Sequence, residues 1–235
     1  MTLKKFGLTN NQLKIIAMLC MIVDHIGVAF FPNVQILRII GRISFPIFAY
    51  MIAEGCHYTK NRKKYLGIIL SMAIAFQVFY YVFMQDLYQC IFVTFSLSIA
   101  TIFTIDSFIK SNNIINRILM LLSLALIVFV GIICPIIFKD YGFYIDYGVY
   151  GIALPILIYF VPKKWIKLLV TAILFIFQAI FSSSLQWWAL LSIPFLALYN
   201  GERGKLKMKY FFYIFYPLHL VIIYAIMFIL QYINR

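Results

Sequence analysis

Apolar residues in this chain neither alternate nor stripe one face; they run on in nine stretches of fifteen to twenty-five residues, broken by short polar or basic segments. An α-helix rises 1.5 Å per residue, so about 20 apolar residues cross a hydrocarbon layer about 30 Å thick. The stretches cover residues 12–31, 36–53, 65–84, 88–105, 114–138, 147–161, 165–181, 185–199 and 210–232. The sixth and eighth are short and the fourth can be extended to Ile109, so eight to ten spans fit the pattern. The expected fold class is all-α: a polytopic transmembrane helical bundle of about nine spans, forming one domain over residues 1–235.

Basic residues orient the spans, because Lys and Arg accumulate in the short loops that stay in the cytoplasm. With nine spans and a cytoplasmic N-terminus, sixteen of the twenty fall inside, from Lys4, Lys5 and Lys14 through Lys60–Lys64, Lys110, Arg117, Lys163–Lys167 and Arg203–Lys209. Only Arg38, Arg42, Lys139 and Arg235 remain towards the outside. One internal span more or fewer would move the later basic loops to the outer face. Lys4 and Lys5 before an apolar run resemble a signal peptide, but Asp24-His25 within the run and the lack of a small-residue cleavage site before Pro32 argue for a retained span.

Composition agrees with a bilayer location. Of 235 residues 65% are hydrophobic and 11% charged, and the mean hydropathy is +0.99. A soluble domain carries about a quarter charged residues, which excludes an ordinary cytosolic enzyme, a disordered tail and a nucleic-acid module. The net charge of +13 is explained by cationic loops against anionic lipid rather than by DNA. Membrane lipid is therefore an expected partner, nucleic acid is not, and the expected location is the cell membrane. Cys20, Cys56, Cys90 and Cys134 stand singly in apolar runs, with no metal-ligand spacing.

Candidate chemistry lies with ionisable residues inside spans, each of which needs a partner or water. The first span carries Lys14 and Asp24-His25, the second Arg42 with Glu54 at its inner end, and the last His219. At helical rise His25 lies about 16 Å beyond Lys14, and His219 about 15 Å beyond Lys209, which puts both histidines near mid-membrane. Arg38 and Arg42, spaced i, i+4, share a helix face directed at the same region. Asp24 or Glu54 compensates them. The outer loop from Asp140 to Gly148 sets two carboxylates among three tyrosines, an arrangement suited to an amine or a sugar as well as to an aromatic belt. Pro46, Pro155 and Pro194 are expected to kink their spans.

These residues fall in strings that resemble the TraX family of integral-membrane proteins, named for a protein that N-acetylates the amino terminus of pilin. The strings are LKIIAMLCMIVDHIG at 13–27, RIIGRISFPIFAYMIAEG at 38–55, YTKNRKKY at 58–65, DYGVYG at 146–151 and YFFYIFYPLHL at 210–220. Beyond that family, the chain is similar to the superfamily of membrane acyltransferases, which carry a basic residue, ten positions and then a histidine on the first span. Lys14 and His25 reproduce the spacing, with lysine where arginine is usual, which keeps the charge and loses the bidentate fork.

The resemblance implies an integral-membrane acyltransferase, an acetyltransferase first of all, that moves an acyl group from cytosolic acyl-CoA to an amine or hydroxyl of an envelope or exported acceptor. Lys14, Arg62, Lys63 and Lys64 would hold the anionic CoA. His25 would act as general base, or carry the acyl group itself; Arg42 or His219 would stabilise the oxyanion; Asp24 would orient an imidazole or an arginine. Arg38, Glu54, Asp146, Tyr147 and Tyr216 are the candidate acceptor-binding residues. The rival readings are a proton-coupled transporter using Asp24, His25 and Arg42, and a scaffold that works by packing alone.

Overall fold

The computed structural model describes residues 6–205 and 209–233. Lys4, Lys5, Lys207 and Arg235, which enter the charge count above, lie outside the described residues, as does the side chain of Lys209. Among the described residues eleven α-helices follow one another: α1 (Asn10–Phe30), α2 (Gln35–Gly41), α3 (Ser44–Tyr58), α4 (Arg62–Phe79), α5 (Ile91–Lys110), α6 (Ile114–Val128), α7 (Cys134–Ile137), α8 (Gly148–Phe160), α9 (Lys164–Phe181), α10 (Ile193–Ala197) and α11 (Lys209–Ile233). Among the described residues there is no β-strand, only the isolated bridges Leu8–Tyr199 and Gln89–Ile145.

Each of the nine apolar runs overlaps helical structure. Six, Asn10–Phe30, Gln35–Tyr58, Arg62–Val82, Ile91–Lys110, Ile114–Ile137 and Lys164–Phe181, are long and apolar enough to cross a membrane. The others differ in kind. α8 has 13 residues, and the eighth run begins with nine residues of 3-10 helix, Ser184–Ser192, before the short α10. α11 is a 25-residue helix with Pro217 inside it. The second run breaks at Arg42 and Ile43, between α2 and α3, while Pro46 sits in the first turn of α3, where its missing N–H has no helical acceptor and produces no kink. Wide π turns at Tyr80–Met84 and Phe129–Ile133 extend α4 and α6.

The chain forms two compact units, one of Met1–Met51 with Thr171–Arg235 and one of Ile52–Val170. In the first, Leu13, Ala17, Ile47 and Ala49 are fully buried, and Phe45 meets Phe175 edge to face, as Tyr50 meets Tyr199. In the second, Ile99 and Ile102 of α5 pack with Ile152, Leu154 and Ile158 of α8 in the buried core. Small polar residues make that contact close, as helices do where lipid gives them no reason to associate. Ser98 Oγ donates to the Ile152 carbonyl at 2.8 Å, and Thr94 Oγ1 to that of Asp146 at 2.8 Å. α6 buries none of its residues and turns Leu121, Leu122 and Val128 outward. Such a face is stable only against hydrocarbon.

Candidate functional site

In the first unit, Thr9 starts α1 by a capping box with Gln12. Fifteen residues on, Asp24 and His25 are consecutive, so they leave the helix about 100° apart and serve two different neighbours. Asp24 is buried against α2, where Arg38 Nη1 donates to its Oδ2 at 2.8 Å and Arg42 Nη2 to its Oδ1 at 3.0 Å and Oδ2 at 3.1 Å. Arg42 Nε adds a bond to the Arg38 carbonyl. One carboxylate thus answers two guanidiniums, and the cluster keeps one net positive charge.

Two glycines admit this approach. A Cβ on Gly27 would stand 2.7 Å from Leu37 Cβ, and one on Gly41 would run into the Asp24 carboxylate itself. Gly41→Ala is therefore expected to destabilise by about 1–3 kcal/mol through overpacking. Gly67→Ala in α4, where nothing lies within 4 Å, should instead gain a few tenths of a kcal/mol or more. Thermal unfolding of both variants in detergent checks the contrast.

His25 faces α11. Its Nδ1 lies 3.1 Å from His219 Nε2, with ring centroids 5.0 Å apart. His219 Nδ1 lies 3.0 Å from the Phe215 carbonyl, one turn earlier on α11, and its ring stacks on Phe215 and meets Tyr216 edge-on. A carbonyl only accepts, so His219 carries its proton on Nδ1 and, when neutral, has a bare Nε2. His25 must then donate from Nδ1, a direction the Met21 carbonyl also favours. The lone pair of His25 is left on Nε2. Arg38 and Asp24 both lie near enough for their charges to act on the His25 ring. A cavity of about 420 Å³ beside His219 is otherwise apolar, lined by Ile22, Ile26, Phe30, Leu218, Ile222 and Ile226 among others.

The remaining candidates divide between the units. Lys14 belongs to the first, with Nζ 5.1 Å from the Phe212 ring centroid, a cation–π contact. Glu54 belongs to the second, where it pairs with Lys167 at 3.4 Å in a buried contact, while the carboxylate that meets the arginines is Asp24. Arg62 pairs with Asp106, which also accepts from Lys110 at 2.8 Å, and lies over the Phe103 ring. Lys63 and Lys64 are exposed. Asp146 and Tyr147 form the turn into α8: Tyr147 is buried in the left-handed region at φ 58°, and the Asp146 backbone bonds Gln89 and Thr94. That gives both a role in shaping the turn. Sequence reasoning missed Asp106 and His57; Asp106 carries a legible signal, lying four residues before Lys110 at the end of a span.

A helical chain with six helices long and apolar enough to cross a bilayer, and with buried ion pairs, is a polytopic membrane protein. The family model described as "TraX protein" matches residues 9–227, and the chain belongs to that family. It is 25% identical over 239 residues to the "Probable fimbrial assembly protein FimC, serogroup H1" of Dichelobacter nodosus, covering 90% of this chain and 93% of that one. An uncharacterised protein of Rickettsia prowazekii (strain Madrid E) is 38% identical over 68 residues, 27% of each chain. No solved structure matches.

Proposed function

We propose that this TraX-family chain is an integral-membrane acyltransferase of the cell membrane, with its N-terminus inside and nine spans. It transfers an acyl group, acetyl first of all, from cytosolic acyl-CoA to an amine or hydroxyl of an envelope or exported acceptor. The hydrogen bond between His25 and His219 supports this most, because it leaves His25 with an unprotonated Nε2 in a span where an idle imidazole has no reason to be. A neutral imidazole with a free lone pair can accept a proton from a nucleophile held beside it.

In the proposed reaction, His25 Nε2 takes the proton of the acceptor as its nitrogen or oxygen attacks the thioester carbonyl. The tetrahedral oxyanion collapses, the C–S bond breaks, and the imidazolium returns its proton to the departing CoA thiolate. His219, whose only N–H is engaged by Phe215, has no proton to offer an oxyanion and is a positioning residue that fixes the tautomer of His25. The charge-stabilising role falls to the arginine pair, chiefly Arg38, the more exposed of the two. Asp24 holds that pair in place. The Dichelobacter relative is named as a probable fimbrial assembly protein, so a fimbrial subunit is the first acceptor to try.

The test is binding and slow hydrolysis of acetyl-CoA by the detergent-purified protein, followed by label transfer to a pilin N-terminal peptide. Binding with hydrolysis above the uncatalysed rate is expected. Folded protein that ignores acetyl-CoA, yet gives proteoliposomes a proton-coupled substrate flux dependent on His25, would replace the enzyme by a transporter.

A further inference from the structure

In the first unit, the cavity of about 420 Å³ beside His219 runs between α1 and α11. Ile22, Ile26 and Phe30 recur every four residues and make one stripe along α1. On α11 the lining reaches from Phe215 to Ile226. At helical rise these lengths are about 12 Å and 16 Å, so the cavity is a groove with a mean section of about 25–35 Å². A helix about 10 Å across needs roughly 80 Å². The groove therefore excludes a peptide helix and admits a single extended chain. Among the described residues that line it, His219 is the one polar side chain. Leu218, Ile222 and Ile226 are about half exposed, which makes the groove continuous with the lipid-facing side of α11.

Two kinds of hydrocarbon chain can meet such a surface. A lipid chain already lies among apolar groups and gains little by exchanging one for another. A chain delivered from water on a soluble carrier gains about fourfold in affinity for each methylene fully buried. The groove thus discriminates in favour of the second kind. It also begins where chemistry is proposed, because His219 both lines it and bonds His25. From His219 to Ile226 is about 10 Å along α11. The three backbone bonds of an extended residue cover at most about 3.6 Å, or about 1.2 Å per bond, so about eight carbons lie along that stretch. An acetyl group reaches no further than its start.

We infer that the groove between α1 and α11 seats the acyl chain, so that the protein transfers acyl groups of about eight carbons in preference to acetyl. This rests on the proposed acyl-CoA donor and on His25 as the base. Chain length is then measured by α11 residues at successive turns beyond His219, with Ile222 about 4 Å and Ile226 about 10 Å along.

The experiment is a chain-length series. Acetyl-, butanoyl-, octanoyl- and dodecanoyl-CoA are offered to the full chain in phosphatidylcholine nanodiscs, with water as the acceptor. Water attacks the thioester carbonyl, the C–S bond breaks, and the free carboxylic acid and the CoA thiol are released. Octanoyl-CoA should show a kcat/KM about tenfold or more above that of acetyl-CoA, less than full burial of the added methylenes would give because the groove is open on one side. Ile222→Trp places a stop near the start and should bring the octanoyl-to-acetyl ratio close to one. Ile226→Trp should move the optimum to butanoyl-CoA, and Ile226→Ala should move it towards dodecanoyl-CoA. Thermal unfolding of each variant establishes that it is folded. Wild-type protein that hydrolyses acyl-CoA without regard to length, or best as acetyl-CoA, overturns the inference and leaves the donor reading standing. So does a length preference that both tryptophans leave intact, or an equal fall at every length, which marks displacement of the histidine pair. Transfer to dodecylamine that falls in Ile222→Trp while donor length has no effect assigns the groove to the acceptor and overturns the inference. If folded wild-type protein neither binds nor hydrolyses any of the four, the proposed function itself fails and takes this inference with it.

Discussion

Asp24→Ala is expected to remove about 3–5 kcal/mol of stability, read as a large fall in the unfolding temperature of the detergent-purified protein. The carboxylate is buried and answers both Arg38 and Arg42, so its loss leaves two guanidiniums facing each other inside a span. Breaking a buried pair at one partner is worse than removing the pair, because the stranded charge keeps its desolvation penalty. Asp24→Asn combined with Arg42→Met should therefore recover most of what Asp24→Asn loses alone. The Arg38 arm, whose side chain is 31% exposed, contributes less and can stay in water. An Asp24→Ala protein that unfolds at the wild-type temperature would show that the carboxylate does not compensate the arginines.

His25→Ala should lower acyl transfer about 10²–10⁴-fold, the usual contribution of a positioned general base, while leaving CoA affinity and unfolding temperature near wild type. The first two readouts separate chemistry from donor binding. His219→Ala should cost activity through a different route, since an unanchored His25 ring samples both tautomers and both orientations. His219→Gln is the discriminating variant. Its side-chain carbonyl can accept from His25 Nδ1, so it should restore part of the turnover that His219→Ala loses; a histidine that only filled space would show no such rescue. Retained turnover in His25→Ala would remove His25 as the base and leave the acyl-histidine route untenable as well.

Much of the architecture could be read from run length alone, because a helix that must satisfy its backbone inside hydrocarbon has a fixed minimum reach. The departures share a physical origin. The break at Arg42, the π turns and the 3-10 stretch at Ser184–Ser192 depend on how neighbouring helices take up backbone groups, and a hydropathy profile holds no record of that. The i, i+4 spacing of Arg38 and Arg42 foretold that both would face one way, whereas which carboxylate meets them depends on how closely the neighbouring helix approaches, and spacing along one span holds no record of that. Close packing decided it, through Gly41 under Asp24. His57 escaped notice because a histidine at the end of a span looks like a surface residue until Tyr159 is seen lying against it.

The chain positions of the two polar contacts also set a schedule for synthesis. Asp24 is followed by its arginines after 14 and 18 residues, so at about 5–20 residues per second the counter-charges emerge within a few seconds of one another. The first two spans can leave the insertion machinery with their charges already matched. His25 must wait for a partner 194 positions away, roughly 10–40 seconds at the same speed. Through most of its translation the Asp24 cluster is thus matched while His25 has no fixed tautomer. A product truncated between α9 and α11 would keep both the Asp24 and the Glu54 pairs and lack only the partner of His25.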